Sequence, residues 1–474
     1  RALRARFAVL KAVNRLVKGA VRLVDLTRVE EGSMAYLLAY WKALLFPQVK
    51  DALFNTSLTL SAASDDPPTI RLNRGTSPPA NRKKERTLLY QMMEVVERKG
   101  FTLRDVGGPG EDKQSWICEL EGEGGTDYGG LFRESLREMC AELQSGEGSL
   151  QLLVQCPNQR VASGSNQDKW LPNPRSKSAT EMKMFRLVGK LMGAAIRTGC
   201  CLELDLPGLV WKQLVGEDCV REDVAAVDDQ FHRDVESALQ THSAGEWEAK
   251  RRTWEVRSLA GGVKELFPGG ASVEVPFAER AEYVARASQY RVDECEEQIK
   301  AIREGLHSVV PSLVLPLLMW RDLEVKVCGR PTIDVERLKS LTEYKDMHGG
   351  AEHRVSKLFW KVVSDMSNDD LAALLAFTWG RTRLPVEHSG DHLILQLLEG
   401  RGDDYLPQAH TCFFTLDLPE YSSEAVMRAK LLYAIYGCAA IDNDVNNPHG
   451  TLYESDADGE EEDEESGEDE EGEE

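Results

Sequence analysis

LPQAHTCFFTLDLPEY, residues 406–421, is the stretch from which the rest of the 474-residue chain can be interpreted. The apolar alternation that follows Cys412 predicts a strand over 413–418, which Pro419 ends. The Cys412 thiol would thus lie directly before the start of a strand. His410, two residues away, offers a proton acceptor or cation, the setting in which thiols become nucleophilic thiolates. The alternative is a structural cysteine, which is commoner for a single Cys near a His.

The same stretch resembles the active-site motif of the HECT family of ubiquitin-protein ligases. In that motif a Leu-Pro-x-x-x-Thr-Cys-Phe run contains the cysteine that accepts ubiquitin as a thioester. Further HECT-like stretches precede it in the order expected of the family, and together they cover nearly the whole chain: 121–134, 185–207, 265–270, 332–344 and 377–385. The WGRTRLP string, the two Phe residues after the cysteine and the CAAIDND run most resemble the large HERC branch.

This resemblance implies an α+β fold with two lobes. Residues 1–328 would form a mostly helical N-terminal lobe, in which residues 215–280 are a small subdomain that binds the ubiquitin-conjugating enzyme. A hinge at 329–331, where Gly329 and Pro331 interrupt the pattern, would lead to a smaller α/β C-terminal lobe at 332–450. The lobes would rotate about this hinge to bring the cysteine to each partner in turn.

The resemblance also implies the reaction. Cys412 would take ubiquitin from the conjugating enzyme as a thioester, and a substrate lysine would then attack that thioester to form an isopeptide bond. The lysine must lose a proton, so His410 and Asp417 are candidate acceptors nearby, and Thr411 is a candidate hydrogen-bond donor to the thioester oxygen. Two alternatives stay open: His410 only orients the loop, and Asp417, which alternates with leucines, faces solvent.

The small subdomain contains an apolar stripe at Phe231, Val235 and Leu239, spaced for one helix face. By resemblance, Phe231, Val235 and Trp254 match the hydrophobic surface that docks the conjugating enzyme, and we expect at least one exposed aromatic among them. The alternative is that all three form the subdomain's own core, because so small a unit needs its apolar side chains inside.

Composition limits the other functions. Hydrophobic residues make up 42% of the chain, and no apolar run approaches the length of a membrane span, so we expect a globular protein of the cytoplasm, or of cytoplasm and nucleus. The ten cysteines form no CxxC pairs, so neither a disulfide framework nor a metal or other cofactor is expected, and Cys200 and Cys201 are predicted to be core. No basic patch with interleaved aromatics indicates nucleic acid as a partner.

Charge is unevenly distributed along the chain. Residues 454–474 contain 15 Asp or Glu and no Lys or Arg, which accounts for most of the net charge of −22. Such a segment cannot bury apolar surface, so residues 451–474 are expected to be a disordered, solvating tail, with a docking site for basic partners as the alternative.

The first 18 residues are basic and carry apolar residues at helical spacing. They predict an amphipathic helix that docks on the domain behind it, with an acidic membrane as the alternative partner. The glycine-rich turn at 121–130 has neither P-loop nor dinucleotide spacing, so nucleotide binding is excluded. The family resemblance implies instead that this stretch packs a strand on helices, with Asp127 and Arg133 as internal polar partners. Other elements predicted by pattern are strands at 69–74 and 392–398 and helices at 33–46, 84–99, 180–197, 334–341, 353–364, 368–377 and 423–438.

Departures from the family pattern leave other functions open. The usual Cys-Phe-Asn is Cys-Phe-Phe here, which should change packing near the site, and the region after the last helix continues into the acidic tail. One alternative is a catalytically silent HECT-like scaffold, which the intact His-Thr-Cys triplet disfavours. Another is a cysteine hydrolase, for which no catalytic His stands out beyond His449. The expected partners are a ubiquitin-charged conjugating enzyme, ubiquitin and lysine-bearing proteins.

Overall fold

The structure, a computed structural model, describes residues 2–20, 24, 30–63, 66–75, 82–107, 113–122, 127, 129–146, 148–330, 332–379, 383–384, 392–410 and 414–441. The predicted acidic tail at 451–474 lies outside these residues, and so do Pro331, Thr411 and Cys412.

The first part of the chain consists of helices and one small parallel sheet. Its elements are α1 (Ala2–Ala20), α2 (Met34–Tyr40), α3 (Pro47–Leu60), β1 (Thr69–Leu72), α4 (Leu88–Lys99), β2 (Ile117–Leu120) and α5 (Gly130–Leu143). The Thr87 hydroxyl accepts a hydrogen bond from the Tyr90 backbone N–H and so caps α4, and Gly100 ends that helix in the left-handed conformation. Asp127 is buried and accepts hydrogen bonds from the N–H groups of Cys118, Gly129 and Leu131, so it joins β2 to the start of α5 as an internal polar partner.

The helix predicted at 33–46 is shorter than expected. The Ser33 hydroxyl caps α2 as predicted, but the helix ends at Tyr40, and Pro47 begins α3 rather than stopping the preceding helix. Proline suits the first turn of a helix because the N–H that it lacks would have no intrahelical partner there. A prediction that treats Pro47 only as the end of a helix therefore misses α3.

The middle of the chain is also mainly helical. Its elements are β3 (Leu153–Gln155), α6 (Pro157–Arg160), β4 (Trp170–Pro172), α7 (Ala179–Thr198), α8 (Gly208–Leu214), α9 (Arg221–Val227), α10 (Asp229–Gln240), α11 (Ala244–Ala249), β5 (Glu255–Arg257), β6 (Val263–Glu265), α12 (Arg280–Asp293), α13 (Glu296–Val309) and α14 (Trp320–Cys328). β3 pairs with β4 and β5 with β6, both antiparallel. The helix predicted at 180–197 is confirmed as α7, which Ser178 and Glu181 begin with a reciprocal capping box.

Helices α7 and α13 pack closely because glycines lie at their contact. A methyl group on Gly189 would overlap the carbonyl oxygen of Ile302, and one on Gly305 would overlap that of Arg186. Both helices bury most of their apolar side chains at this seam and around it. The backbones approach so closely that no larger residue can be accommodated at these two positions.

The last part of the chain surrounds a four-stranded mixed sheet. Its elements are α15 (Val335–Ser340), β7 (Thr342–Lys345), α16 (Arg354–Ser364), α17 (Asn368–Trp379), β8 (Leu393–Leu398), β9 (Gln408–His410), β10 (Thr415–Pro419) and α18 (Glu424–Ile441). The strand order is β7-β8-β10-β9, with β7, β8 and β10 parallel and β9 antiparallel to β10. The strands and helices predicted for this part occur within a few residues of their expected bounds. The short strands β7 and β9 were not predicted.

Buried hydrophobic side chains form three main clusters. The large cluster includes residues between Phe54 and Cys328. The small cluster lies between Val224 and Ala287 and takes side chains from α9, α10, α11, α12 and β5. The C-terminal cluster begins at Ile333 and ends at Ile435. The boundary between the large and C-terminal clusters thus falls between Cys328 and Ile333.

Many helices combined with four small sheets among the described residues make the fold α+β, as predicted. Cys200 is buried, in agreement with the predicted core position, whereas Cys201 is only partly buried. Among the residues that the structure describes, no helix combines the length and apolar character needed to cross a bilayer.

We predict that Gly305→Ala lowers the free energy of unfolding by about 3 kcal/mol, the upper end of typical overpacking costs. Alanine is normally the better helix former, but here its methyl group would overlap the Arg186 carbonyl oxygen. Urea unfolding followed by circular dichroism measures the change. The matched control is Gly19→Ala in α1, where no atom lies within 4 Å of the added methyl group and stability should be unchanged or slightly higher. Equal stability of both variants would contradict the close helix contact.

Candidate active site

The described residues on both sides of Cys412 belong to paired strands. His410 ends β9 and lies opposite Thr415, the first residue of β10. Thr411 and Cys412 themselves lie outside the described residues, so their predicted roles stay predictions. His410 and Thr415, the described residues that flank them, are held in register by the pairing of β9 with β10.

A histidine and a buried aspartate form a pair beside the motif. The Nε2 atom of His410 lies 3.0 Å from Oδ2 of Asp417. The Asp417 side chain is 10% exposed and the His410 side chain 53% exposed, so the ring bridges a buried carboxylate and the surface. The alternative that Asp417 faces solvent is therefore wrong. β10 lies between β8 and β9 and all five of its residues are buried, so both of its faces are covered, including the one that sequence alternation alone would place outside.

The second oxygen of Asp417 also matters for chemistry. Oδ1 of Asp417 is buried and has no hydrogen-bond partner among the described residues. A buried carboxylate oxygen without a donor is costly, so this atom has capacity to accept a further hydrogen bond. The pair can thus hold the imidazole of His410 in one orientation.

Phe414 connects the motif to an earlier part of the chain. Its backbone has φ 47°, in the left-handed region that Asn and Gly adopt more readily than aromatic residues. Its ring stacks on Trp379 at the end of α17, with centroids 4.2 Å apart and planes 7° apart. The predicted change in packing is thus a ring stack at the position where the family's usual residue is Asn.

A second junction lies where the large and C-terminal clusters meet. Gly329 has φ 75°, and a methyl group there would lie 2.9 Å from Sγ of Cys201 and 3.0 Å from the Leu384 carbonyl oxygen. Beside it, Nη2 of Arg383 lies 3.1 Å from Oδ1 of Asp205. Arg383 belongs to the WGRTRLP string, so this string contacts the part of the chain that contains Asp205 through an ion pair that the sequence does not reveal.

The three residues predicted to bind the conjugating enzyme are all buried. Phe231, Val235 and Trp254 are 8%, 3% and 4% exposed, so the expected exposed aromatic is absent among them and that prediction is wrong. They form the small cluster, where the Arg291 guanidinium lies 4.1 Å from the Phe231 ring centroid. The apolar stripe of α10 faces α12, which explains its burial. Helical spacing shows that residues share a face but not whether that face is covered.

Exposed apolar side chains do occur near this cluster. Val263 on β6 and Val273 in the following segment are both exposed, and Leu266 and Phe267 between them are partly buried. Phe267 contacts the buried Trp254, with ring centroids 5.6 Å apart. A surface of small and medium apolar groups therefore lies above the buried aromatic residues. Among the described residues, no His, Cys, Asp and Glu side chains are grouped so as to hold a metal ion.

Comparison with known proteins identifies the fold family. The family model described as HECT-domain (ubiquitin-transferase) matches residues 138–443, more than half of the chain. The chain belongs to the HECT family. The described part of this HECT domain places His410, Asp417, Phe414 and Trp379 together, whereas Phe231, Val235 and Trp254 lie in a separate cluster.

Individual relatives agree with the predicted branch. This HECT domain is 38% identical over 340 residues to the E3 ubiquitin-protein ligase HERC2 of Mus musculus and of Homo sapiens, an alignment that covers 69% of this chain and 7% of each relative. It is 30% identical over 334 residues to the E3 ubiquitin-protein ligase RSP5 of Chaetomium thermophilum, over 68% of this chain and 39% of that protein. The higher identity to HERC2 supports the resemblance to the HERC branch. The chain spans only a small part of the length of these HERC2 relatives.

We predict that Phe231→Ala and Trp254→Ala each lower the free energy of unfolding by about 3 kcal/mol, because each removes a buried aromatic ring. Hydrogen exchange at α10 and α12, together with thermal melting, measures the loss and its location. Val263→Ala, an exposed control from the same region, should leave both unchanged. Unchanged exchange in the two aromatic variants would mean that these residues are not core.

We predict that Phe414→Ala lowers the free energy of unfolding by about 3 kcal/mol, because the loss of a buried ring and of the stack on Trp379 outweighs any change in backbone strain. Urea unfolding is the measurement, and the exposed Tyr433→Ala serves as the control. A variant as stable as the native chain would show that the ring and its stack contribute nothing to stability, because alanine keeps the Cβ that makes the left-handed backbone costly.

Proposed function

We propose that this chain is the catalytic domain of a HECT-type E3 ubiquitin-protein ligase, which accepts ubiquitin on Cys412 and transfers it to a lysine. The observation on which the proposal depends is the His410–Asp417 pair beside the LPQAHTCFF motif, in a chain of the HECT family. The partners follow from the reaction: a ubiquitin-charged conjugating enzyme, ubiquitin itself, and a protein with an accessible lysine.

The first step exchanges one thioester for another. The Cys412 thiolate attacks the carbonyl carbon of ubiquitin's C-terminal glycine, and a new C–S bond forms as the bond to the conjugating enzyme's sulfur breaks. That sulfur leaves as a thiolate, so charge is conserved. Because the two thioesters are nearly equal in energy, this step depends on positioning rather than on driving force. Thr411 is the proposed donor to the thioester oxygen.

The second step forms the isopeptide bond. The lysine amine attacks the same carbonyl carbon, a C–N bond replaces the C–S bond, and Cys412 leaves as thiolate. An amine with a reference pKa of ~10.4 is mostly protonated near neutral pH, so it must lose a proton before or during attack. His410 is the proposed acceptor, and Asp417 stabilises the imidazolium that forms. The exposure of His410 makes it accessible to an incoming side chain.

We further propose the two-lobe arrangement of 1–328 and 332–450 about a hinge at 329–331. The boundary between the large and C-terminal clusters and the left-handed Gly329 support it. Rotation about this segment would bring Cys412 first to the conjugating enzyme and then to the substrate. The Arg383–Asp205 ion pair would have to break in any large rotation. It therefore stabilises the arrangement in which these two side chains are in contact.

We also propose that the conjugating enzyme docks on the small subdomain at 215–280. Because Phe231, Val235 and Trp254 are buried, they would support the surface from within rather than contact the partner. The exposed Val263 and Val273 and the partly buried Phe267 are the apolar groups that this subdomain offers instead.

The test of ligase activity is formation of a ubiquitin adduct. The chain is incubated with ubiquitin, activating enzyme and a panel of conjugating enzymes, and products are separated with and without thiol reagent. We expect a thiol-sensitive adduct that Cys412→Ala abolishes. An adduct with none of the conjugating enzymes would favour the silent scaffold, and release of ubiquitin from chains would favour the cysteine hydrolase.

We predict that His410→Gln and Asp417→Asn leave thioester formation nearly unchanged but slow its discharge onto free lysine about 100-fold, the low end of general-base effects. The measurement follows the preformed adduct with time at several pH values. The defect should shrink as pH rises toward the lysine pKa, because more amine is then neutral without a base. His348→Gln, at an exposed histidine, is the matched control. A defect independent of pH would indicate a structural role only.

A further inference from the structure

The first helix, α1, is strongly basic. It contains five basic residues and no acidic residue, in a chain whose net charge is −22. Because a helix turns by about 100° per residue, residues that follow one another at intervals of seven, four and three positions lie within an arc of about 60°. Four of the five basic residues follow these intervals and form one straight row, here called the basic row: Arg4, Lys11, Arg15 and Lys18.

The basic row borders the edge by which α1 docks on the rest of the protein. Asn14 is the one buried residue of α1; it donates a hydrogen bond to the Leu44 carbonyl oxygen at 2.9 Å and accepts one from the Phe46 N–H at 2.6 Å. Phe7 contacts Phe46 on the same edge, with ring centroids 6.0 Å apart. These contacts bear out the predicted docking of the first helix, and they fix the position of the row beside the docked edge.

The charges of the basic row are not neutralised by the part of the chain that the structure describes. All four side chains are exposed, and none of them forms an ion pair with a described residue. Lys11 instead lies over an aromatic ring, with its Nζ atom 5.0 Å from the Phe7 centroid. By contrast, the exposed Lys357 of α16 pairs with Glu352 at 2.7 Å. The basic row is therefore open to an anionic partner.

One segment of the chain has the complementary charge. Residues 454–474 contain 15 Asp or Glu and no Lys or Arg, and residues 460–465 are an unbroken acidic run. The row is about 21 Å long from Arg4 to Lys18, a length that about seven residues of extended chain match. Every stretch of seven residues in this segment contains at least four carboxylates. Several registers of the segment can therefore supply one carboxylate for each cation of the row.

The linker to this segment is long enough to return to neighbouring helices. Helix α18 ends at Ile441, and residues 442–453 can span about 40 Å when extended. Helix α1 packs on α3, and Lys50 of α3 pairs with Asp322 of α14, the helix that leads into the C-terminal cluster. Packed helices lie about 8–10 Å apart, so these two steps amount to about 20 Å, which is less than the span of the linker.

Other anionic partners meet an obstacle that this segment avoids. A chain with a net charge of −22 repels nucleic acid and anionic lipid as they approach. A segment of the same chain is instead tethered at a high effective concentration, so individually weak ion pairs are enough to hold it. A second copy of α1 would bring five more positive charges against the first five.

We propose that the basic row of α1 is the docking surface for the acidic segment 454–474 of the same chain. The carboxylates of the segment pair with the four cations, in any of several registers. Of the two roles expected for the acidic segment, this assigns docking on a basic partner and finds that partner within the chain. The docking does not depend on the ubiquitin transfer proposed above.

Carbodiimide crosslinking of the full chain tests the proposal, because it joins a lysine amine to a carboxylate that is in contact with it. We expect crosslinks from Lys11 and Lys18 to residues 454–474, identified by mass spectrometry. Since the docking is electrostatic and exposed, about 0.5 M salt should reduce their yield at least about 5-fold.

Arg4→Glu with Arg15→Glu should reduce the same crosslinks at least about 5-fold, because two cations of the row become repulsive. Both reactive lysines remain in this variant, so the loss reports docking and not removal of the reacting groups. The matched control is Arg98→Glu with Arg137→Glu, which makes the same charge change at exposed arginines elsewhere and should leave the yield unchanged.

Equal amounts of isotope-labelled and unlabelled chain distinguish docking within one chain from docking between copies, because crosslinks between copies join a labelled to an unlabelled peptide. Circular dichroism checks that each variant is folded, which is expected because the changed side chains are exposed. The thioester assay on the same samples should give the same result for every variant, so failure of the docking and failure of ubiquitin transfer are separate outcomes.

Four results would overturn the proposal. The first is no crosslink from Lys11 or Lys18 to 454–474, and the second is an equal yield from the native chain and the Arg4 and Arg15 variant. The third is crosslinks that join only different copies, which would assign the row to the acidic segment of a second chain. The fourth is binding of single-stranded RNA or anionic vesicles by the native chain that the same variant abolishes, which would assign the row to that partner.

Discussion

The backbone at Gly329 is the constraint on which the arrangement around the active site depends. Its left-handed φ and its closeness to Cys201 and Leu384 leave no room for a side chain, so the chain leaves α14 in a direction that only glycine permits. The residues that follow build the C-terminal cluster and its sheet, and that sheet positions His410 and Asp417. The Arg383–Asp205 ion pair lies at the same junction and is partly shielded from solvent, so the contact is electrostatic as well as steric.

The chemistry of the site depends on a carboxylate buried in the sheet. Asp417 lies on β10 between β8 and β9, with one oxygen on His410 and the other without a partner among the described residues. Burial of a carboxylate is unfavourable unless a hydrogen bond or charge compensates it, so the contact with the His410 ring offsets part of the cost of burying Asp417. The same contact fixes the position of the His410 ring at the end of β9.

Much of the C-terminal part could be predicted from the sequence because its elements are short and clearly punctuated. Strand β8 and helices α16 and α18 each show a clear apolar pattern over most of their length, and Pro419 ends β10. The burial of Phe231 and Trp254 could not be predicted in the same way, because a stripe at helical spacing identifies a face without identifying what covers it. The sequence leaves the burial of Asp417 open for a related reason: alternation assigns residues to two faces of a strand but does not show that both faces are covered, as they are in β10.

Two motifs 35 residues apart in the sequence act as one structural unit. Trp379 begins the WGRTRLP string and Phe414 follows Cys412 by two positions, yet their rings stack face to face. A left-handed backbone at a bulky residue destabilises the fold by about 1–2 kcal/mol. An aromatic pair stabilises it by about 0.5–1.5 kcal/mol in addition to the effect of the area that it buries. The two terms are of similar size, so Phe can occupy a position suited to Asn only where a ring such as Trp379 lies opposite. A change at either residue therefore removes the stack that holds Phe414, and the departure from the family motif is explained by the partner ring of Trp379.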